Sequence, residues 1–145
     1  MLNALHAAAT LLMTGVVLCI AVVHYPLFDK VGREVWPAYE AAHVQRITWV
    51  VAPLMLAELA LSVLLVVAAL AGWGPPDTTA RVLAFVGLAL LAVVWGVTFF
   101  FSVPQHGKLA AGWDDATFAA LLAFNWVRTI AWCLRSVLAV WLIAR

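Results

Sequence analysis

The sequence contains little charge. Of its 145 residues only 10% are Asp, Glu, Lys or Arg, and 67% are apolar. Soluble domains carry roughly a quarter charged residues, so this chain lacks the polar surface that a water-soluble fold needs. The formal net charge of +1 supplies no basic surface either. We therefore exclude nucleic acid as a partner and predict that the lipid bilayer surrounds the chain.

Cysteines and common catalytic motifs are equally scarce. The two cysteines, Cys19 and Cys133, lie in apolar segments and form no CxxC pattern. The chain has no Gly-rich phosphate loop, no GxSxG and no HExxH. These absences argue against hydrolysis by the mechanisms that soluble enzymes use.

The sequence does contain four long apolar runs. A helix crosses a hydrocarbon core of roughly 30 Å with about 20 residues, and each run is long enough. The runs are continuously apolar, whereas barrel strands alternate, so helices are predicted. We predict an all-α integral membrane protein, a four-helix bundle forming one domain over residues 1–145. Its helices are expected at about 4–28, 38–71, 80–103 and 115–144.

The two helical hairpins of this bundle share short motifs. Each leaves the membrane at Pro and His, passes a Trp, and returns with a polar residue three positions before an Arg. The first hairpin contains His24-Tyr25-Pro26, Trp36, His43 and Arg46; the second contains Pro104-Gln105-His106, Trp113, Asn125 and Arg128. Two similar hairpins of one topology are expected to be related by an axis along the membrane normal. Both polar sets then meet at the membrane face that the two hairpin loops share, which we call face A.

Positive residues near the helix ends are more numerous at face A. They are Lys30, Arg33, Arg46, Lys108 and Arg128, against Arg81 and Arg145 on the other side. The positive-inside rule therefore predicts a cytoplasmic face A with both termini outside. Trp36 and Trp113 are expected in an interfacial aromatic belt at face A, and Asp114 and Asp115 are suitable N-terminal caps for the fourth helix.

The polar residues at face A are the candidate functional site. His43 and Arg46 are three residues apart on the second helix and so share a face, as do Asn125 and Arg128 on the fourth. We predict these four residues to be catalytic. Histidine is suited to proton transfer, and the arginines are suited to stabilising a developing negative charge.

Histidines also suggest a cofactor. We predict that His24 and His106 bind it, and that His24, His43 and His106 are the ligands of a metal. Imidazoles on different helices suit haem iron, copper, zinc or non-haem iron, so the cofactor stays open between haem and a transition metal. Two other interpretations of the cluster stay open: helix capping or lipid-phosphate binding, and an anionic or quinone-like ligand held by the two arginines.

Glu58 and Arg135 are the ionisable residues deepest in the predicted helices. Such residues usually face the bundle interior and pair with one another. We predict a structural ion pair between them, either direct or bridged by Thr98.

These motifs resemble a known group. The pattern of His24-Tyr25-Pro26, His43 with Arg46, Pro104-Gln105-His106 and Asn125-Trp126-Val127-Arg128 resembles small bacterial four-helix membrane proteins akin to the anthrone-oxygenase-like family. The first helix, with Leu5-His6 and Tyr25-Pro26-Leu27, less closely resembles HemJ-type protoporphyrinogen oxidases and CopD-type copper proteins. The resemblance implies a bacterial inner-membrane oxidoreductase or oxygenase. Its substrate is then a flat, hydrophobic aromatic or quinone-like molecule, and His24, His43 and His106 are its ligands or bases.

Two other functions remain open from the sequence. The chain could be a non-enzymatic accessory or scaffold subunit whose polar cluster only fixes packing. It could also be a small transporter, with a proton path from the face A cluster through Glu58 toward His6. A homo-oligomer is a further alternative, because the sequence does not decide whether helices pair within or between chains.

Overall fold

The chain folds into four long helical spans. The structure, a computed structural model, describes residues 1–73 and 77–144. Within these residues there is no strand, which confirms the all-α prediction. Four spans are long and apolar enough to cross a membrane, and we number them first to fourth: Leu2–Lys30, Trp36–Leu70, Thr78–Ala111 and Asp115–Ile143. The protein is thus a multi-pass membrane protein built as a helical bundle.

The odd-numbered spans are composite and the even-numbered spans are single α-helices. The first span is α-helical over Leu2–Cys19, π-helical over Ile20–His24 and 3-10 helical over Tyr25–Lys30. The third span is α-helical over Thr78–Val97, π-helical over Thr98–Ser102 and α-helical again over Val103–Ala111. The second and fourth spans run unbroken over Trp36–Leu70 and Asp115–Ile143.

A proline lies two residues after the last residue of each π-helix. Pro26 and Pro104 stand in the first turn of the segment that comes next. Proline has no backbone N–H and its ring collides with the carbonyl of an ordinary preceding turn, and a wider π-turn relieves this conflict. The sequence predicts that the third helix ends near residue 103, and this is wrong: the span continues through Pro104 to Ala111. The π-turns occupy the same place in both hairpins, so the predicted repeat has a backbone counterpart.

The spans pack in a ring in chain order. Each contacts its neighbours in sequence, and the first span closes the ring against the fourth. At that closure the Asn3 side-chain amide donates to the Leu142 carbonyl at 3.0 Å. The two hairpin loops, residues 31–35 and 112–114, lie at face A, and both termini lie at the other end. Arg145, which was counted in the charge comparison, falls outside the described residues, as do residues 74–76.

Two buried apolar clusters stabilise the bundle. The middle cluster consists of Met13, Val17, Met55, Leu91, Val94, Ala131 and Trp132. The cluster nearer face A consists of Ile20, Tyr25, Phe28, Trp36, Leu109 and Leu121. Large apolar side chains also cover the outside of the bundle, such as Trp49 at 79% exposure and Phe100 at 78%. An outer surface this apolar suits lipid rather than water.

Trp36 does not lie in an interfacial belt. Its side chain is fully buried, and its indole Nε1–H donates to the Leu109 carbonyl at 2.7 Å. The loop of the first hairpin turns this residue inward, where it closes the end of the bundle. The belt prediction for Trp36 is therefore wrong.

Candidate functional site

Three side chains from three spans form a hydrogen-bonded chain near face A. The Tyr25 hydroxyl lies 2.7 Å from His106 Nε2, and His106 Nδ1 lies 2.5 Å from Glu40 Oε1. A carboxylate can only accept, so the proton between His106 and Glu40 belongs to Nδ1, and in a neutral His106 the Nε2 atom accepts from the tyrosine hydroxyl. Tyr25 and Glu40 are buried, and the His106 side chain is 13% exposed. The arrangement is a Tyr–His–carboxylate relay able to move a proton.

Two further histidines lie beside this relay. His24 Nε2 and His43 Nδ1 are 2.9 Å apart, and the His43 and His106 ring centroids are 5.4 Å apart. His43 is buried, and its Nε2 has no hydrogen-bond partner in the described part of the chain. One imidazole nitrogen is therefore left facing the interior without a partner.

Arg128 and Asn125 bring unpartnered polar groups to the same end of the bundle. Arg128 is only 5% exposed and Asn125 only 1%. Within residues 1–73 and 77–144 the Arg128 guanidinium makes no hydrogen bond or ion pair, and both polar atoms of the Asn125 amide lack partners. Arg128 lies within electrostatic range of Tyr25, the first member of the relay. A cation and an amide thus remain unsatisfied beside a proton relay.

More unpartnered polar atoms lie around the relay. Among the described residues they include Glu40 Oε2, Ser102 Oγ and Gln105 Oε1. Buried polar groups in native proteins are nearly always satisfied by protein, water or a ligand. The concentration of orphaned donors and acceptors at one end of the bundle is what a binding site for a polar group requires.

An aromatic layer covers this site on the side of face A. Phe28 packs on His24 and His43 at centroid distances of 5.1 and 5.0 Å, and Trp36 packs edge-on against Phe28 at 5.2 Å and Trp113 at 4.6 Å. The Arg33 guanidinium lies 3.6 Å from the Trp113 ring centroid, a cation–π contact. His24 and His106 keep partial exposure, so the site is not fully enclosed.

The structure brings most of the predicted site residues together, but not Arg46. His24, His43 and His106 meet, and Asn125 and Arg128 are buried at the same end. Arg46 is exposed and makes no hydrogen bond or ion pair with the described residues. Three residues turn a helix by about 300°, so Arg46 is rotated about 60° from His43 and reaches the outer surface.

The predicted metal site stays a prediction. In the described ranges no three His, Cys, Asp or Glu side chains are grouped so that they could hold a metal ion. His24 and His43 are bonded to each other, and both ring nitrogens of His106 are bonded to Tyr25 and Glu40. The histidines predicted as ligands are therefore arranged in this structure as a hydrogen-bond network.

Sequence reasoning assigned no role to two members of the relay, Tyr25 and Glu40. Glu40 stands three residues before His43, a Glu-x-x-His spacing that places both on one face of the second span. That spacing was the available signal for Glu40. Tyr25 lies next to His24 in the first-hairpin motif, but only the tertiary structure shows that its hydroxyl reaches His106 of the third span across the bundle.

A second polar cluster lies deeper in the bundle. The predicted ion pair is present: Arg135 Nη2 donates to Glu58 Oε2, and both residues are fully buried. The pair is direct, and the hydroxyl of Thr10 donates to the second oxygen of Glu58, Oε1, at 2.6 Å. Thr98, the predicted bridge, donates instead to the carbonyl of Val94 in its own helix.

Arg135 is further held by three other groups. It donates to Ser62 Oγ at 2.9 Å and to the Gly87 carbonyl, and its Nη2 lies 3.2 Å from His6 Nε2. The Arg135 guanidinium of the fourth span therefore contacts residues of the other three spans. We call His6, Glu58, Ser62 and Arg135 the deep cluster.

Comparison with protein-family models, with curated proteins and with solved structures gives no match for this chain. The resemblance to the anthrone-oxygenase-like, HemJ and CopD groups therefore stays a prediction.

Proposed function

We propose that this protein is a membrane-embedded oxidoreductase or oxygenase that binds the oxygen-bearing head of a hydrophobic aromatic or quinone-like molecule at the face A cluster. The observation that carries this proposal is the buried Arg128, which has no hydrogen bond or ion pair within the described residues.

An unpaired buried charge is unfavourable, because its removal from water costs several kcal/mol after relaxation. An anionic or strongly polarised oxygen on a ligand would compensate the guanidinium with charge-assisted hydrogen bonds. The Asn125 amide, one helical turn away, offers a donor and an acceptor to the same head group. A carbonyl, phenolate or enolate oxygen has the chemistry that this pair satisfies.

The relay supplies acid–base chemistry next to that head group. Tyr25 contacts His106, lies within electrostatic range of Arg128, and can pass a proton to or from the bound oxygen, while Glu40 orients His106 through Nδ1. Arg128 would stabilise the negative charge that develops when the ligand oxygen is deprotonated. Oxidation of a phenol or quinol removes both protons and electrons, and the relay accounts for the proton transfer.

The surroundings of the site favour a hydrophobic molecule. The aromatic layer of Phe28, Trp36 and Trp113 separates the cluster from the loops, and the outside of the bundle is apolar. A ligand that partitions into lipid and carries one polar end matches both features.

The redox cofactor belongs to this proposal as an expectation. Haem or a transition metal would be recognised from the visible absorption of the protein purified in mild detergent, in oxidised and reduced forms. The first suspects for ligation are His24 and His43, because His43 Nε2 is unpartnered among the described residues.

We place face A on the cytoplasmic side of a bacterial inner membrane, with both termini outside. Arg128 is buried and should not count toward the charge bias. The exposed Lys30, Arg33, Arg46 and Lys108 still outnumber the two arginines of the other side in the sequence, Arg81 and Arg145. Protease protection of a tag at each terminus tests the orientation.

The binding proposal is tested with an alkylated 2-hydroxy-1,4-naphthoquinone, a hydrophobic anion at neutral pH, and with the neutral 2-methyl analogue. Binding is followed by quenching of tryptophan fluorescence, since the chain has eight tryptophans. We expect the anion to bind at least about tenfold more tightly, the energy of roughly one charge-assisted hydrogen bond. Arg128→Gln should remove this preference.

Arg46→Gln is the matched control, because Arg46 is the exposed arginine of the first hairpin. It should bind both probes as the parent does. Equal affinity for the two probes in the parent protein, or the same loss in both arginine variants, would contradict the proposal and favour the accessory or scaffold function.

A further inference from the structure

Two buried donors of the deep cluster have no protein partner in the described residues. They are His6 Nδ1 and Arg135 Nε. An arginine only donates, so the contact between Arg135 Nη2 and His6 Nε2 makes Nε2 the acceptor. The proton of a neutral His6 therefore resides on Nδ1. Both orphaned groups are N–H donors, and each needs an acceptor.

A small cavity borders these donors. Its walls are mainly apolar and include the side chains of His6, Ser62 and Arg135 as their polar members. Its volume of about 10 Å³ leaves room for about one water molecule. A water oxygen can accept from two donors and return its own hydrogens to nearby oxygens. Water is thus the ligand that fits the cavity in both size and hydrogen-bonding capacity.

A larger groove lies between this cavity and the end of the bundle that carries the termini. Its volume is about 720 Å³, and its walls include the polar side chains of Asn3 and Arg81. The groove and the cavity share three lining residues, Leu65, Ala84 and Leu142. The open groove and the cavity at the deep cluster are therefore adjacent and share part of their walls.

We propose that the groove and the cavity together form an aqueous half-channel, through which water from the side of the termini reaches His6 and Arg135. The channel gives protons from that side access to the buried Glu58 ion pair. It ends there, because the apolar side chains of Met13, Leu91 and Val94 come next toward face A. This inference is independent of the ligand proposed for the face A cluster.

The test compares two cysteines on one face of the second span. Leu65 lines the groove and the cavity, whereas Leu54 packs against the middle apolar cluster. The two leucines are eleven residues apart, about three helical turns, and both are half-buried. Leu65→Cys and Leu54→Cys are each made in a chain whose Cys19 and Cys133 are replaced by Ala. A charged, membrane-impermeant methanethiosulfonate is then added to either side of lipid vesicles.

We expect Leu65→Cys to react at least about tenfold faster than Leu54→Cys, because the reactive thiolate forms in water and not in apolar surroundings. The reaction should occur from the side of the termini and not from face A. If Leu65→Cys reacts no faster than Leu54→Cys from both sides, lipid or protein fills the groove and the half-channel is excluded.

A second measurement uses the unaltered chain, so that it does not depend on how a variant folds. Water-edited solid-state NMR should show rapid magnetisation transfer from water to the His6 imidazole, with the proton on Nδ1. Transfer as slow as that to Trp132 in the middle cluster, or a proton on Nε2, would overturn the proposal.

Discussion

Arg128 and Arg135 lie seven residues apart on the same face of the fourth span and have opposite environments. Arg135 is held by Glu58, Ser62 and the Gly87 carbonyl, whereas Arg128 makes no hydrogen bond or ion pair with any described residue. Both are at least 95% buried, so burial does not distinguish them. One arginine is built into the protein, and the other is available to something that binds it.

This difference predicts opposite effects on stability. Arg135→Leu leaves the Glu58 carboxylate buried without its partner and should cost about 3–5 kcal/mol, lowering the melting temperature in detergent. Arg128→Leu removes an uncompensated buried charge and should raise the melting temperature of the ligand-free protein.

The double variant Glu58→Met with Arg135→Met is the control for the ion pair, and it should recover most of the loss, since no buried charge then remains. If Arg128→Leu destabilises the ligand-free protein as strongly as Arg135→Leu does, Arg128 is a packing residue and the binding function loses its main support.

The relay predicts a distinctive proton on His106. The 2.5 Å contact with Glu40 is a short, charge-assisted hydrogen bond, which should give a strongly deshielded imidazole N–H signal in NMR. Glu40→Gln should abolish this signal. Glu34→Gln, at an exposed glutamate of the adjoining hairpin loop, should leave it in place.

The same relay predicts a catalytic effect of Tyr25. Tyr25→Phe keeps the ring and removes only the hydroxyl that contacts His106. The substrate for this assay is identified by extracting bound small molecules from the purified protein. Its turnover should fall by about 10²- to 10⁴-fold in Tyr25→Phe, the usual contribution of one acid–base group. Unchanged turnover would remove Tyr25 from the mechanism.

The π-helix of the third span predicts an unusual tolerance to deletion. Deleting Phe100, a lipid-facing residue within Thr98–Ser102, should close the π-turn to an α-turn and leave His106 in register. Deleting Val93, which is also exposed but lies in the regular α-helix, should rotate one half of the span by about 100° and separate His106 from Tyr25.

Melting temperature and binding of the hydroxynaphthoquinone are the readouts for both deletions. We expect near-parental values for the Phe100 deletion and loss of both for the Val93 deletion. Equal damage from the two would mean that the π-turn has a positive role of its own.

Asp114 predicts a local dependence on pH at face A. Hydrogen bonds from the Thr117 side chain and from the Thr117 amide, the latter at 2.7 Å, lower the pKa of Asp114 below its ordinary value. Because the pKa is lowered in the folded state, the cap stabilises the helix start fully at pH values above the ordinary pKa of aspartate. This stabilisation is lost as the pH falls through the folded-state pKa.

Hydrogen-exchange protection of the Thr117 amide should therefore decrease on acidification. Asp114→Asn keeps an acceptor that does not titrate, so its protection should change little with pH. The same decrease in Asp114→Asn would assign the effect to another group.

Much of the fold follows from composition alone. Four apolar runs in a chain with 10% charge leave helices as the way to satisfy the backbone in lipid, and the structure contains these helices. Their boundaries were less accurate, because Pro104 predicts the end of a helix. The helix continues because a π-turn before Pro104 relieves the conflict with the proline, an adjustment that the usual rule for helix ends does not include.

Residue type and helical spacing were enough to single out the polar residues. The Glu58–Arg135 pair and the meeting of His24, His43 and His106 follow from burial of charge and from the repeat of the hairpin motifs. The i, i+3 spacing from His43 also predicted Arg46 in the site. That prediction failed because residues three apart point in directions that differ by about 60°. A rotation of about 60° separates an inward side chain from one that faces lipid.

Only the tertiary structure decided which polar groups find partners. The sequence treats Arg128 and Arg135 alike, since both are arginines on one stripe of an apolar helix. Packing gives Arg135 a carboxylate from the second span and a carbonyl from the third, and it turns Tyr25 and Glu40 onto His106. Hydrogen bonds require atoms from different spans to come within about 3 Å, and the relative rotation of packed helices sets that distance.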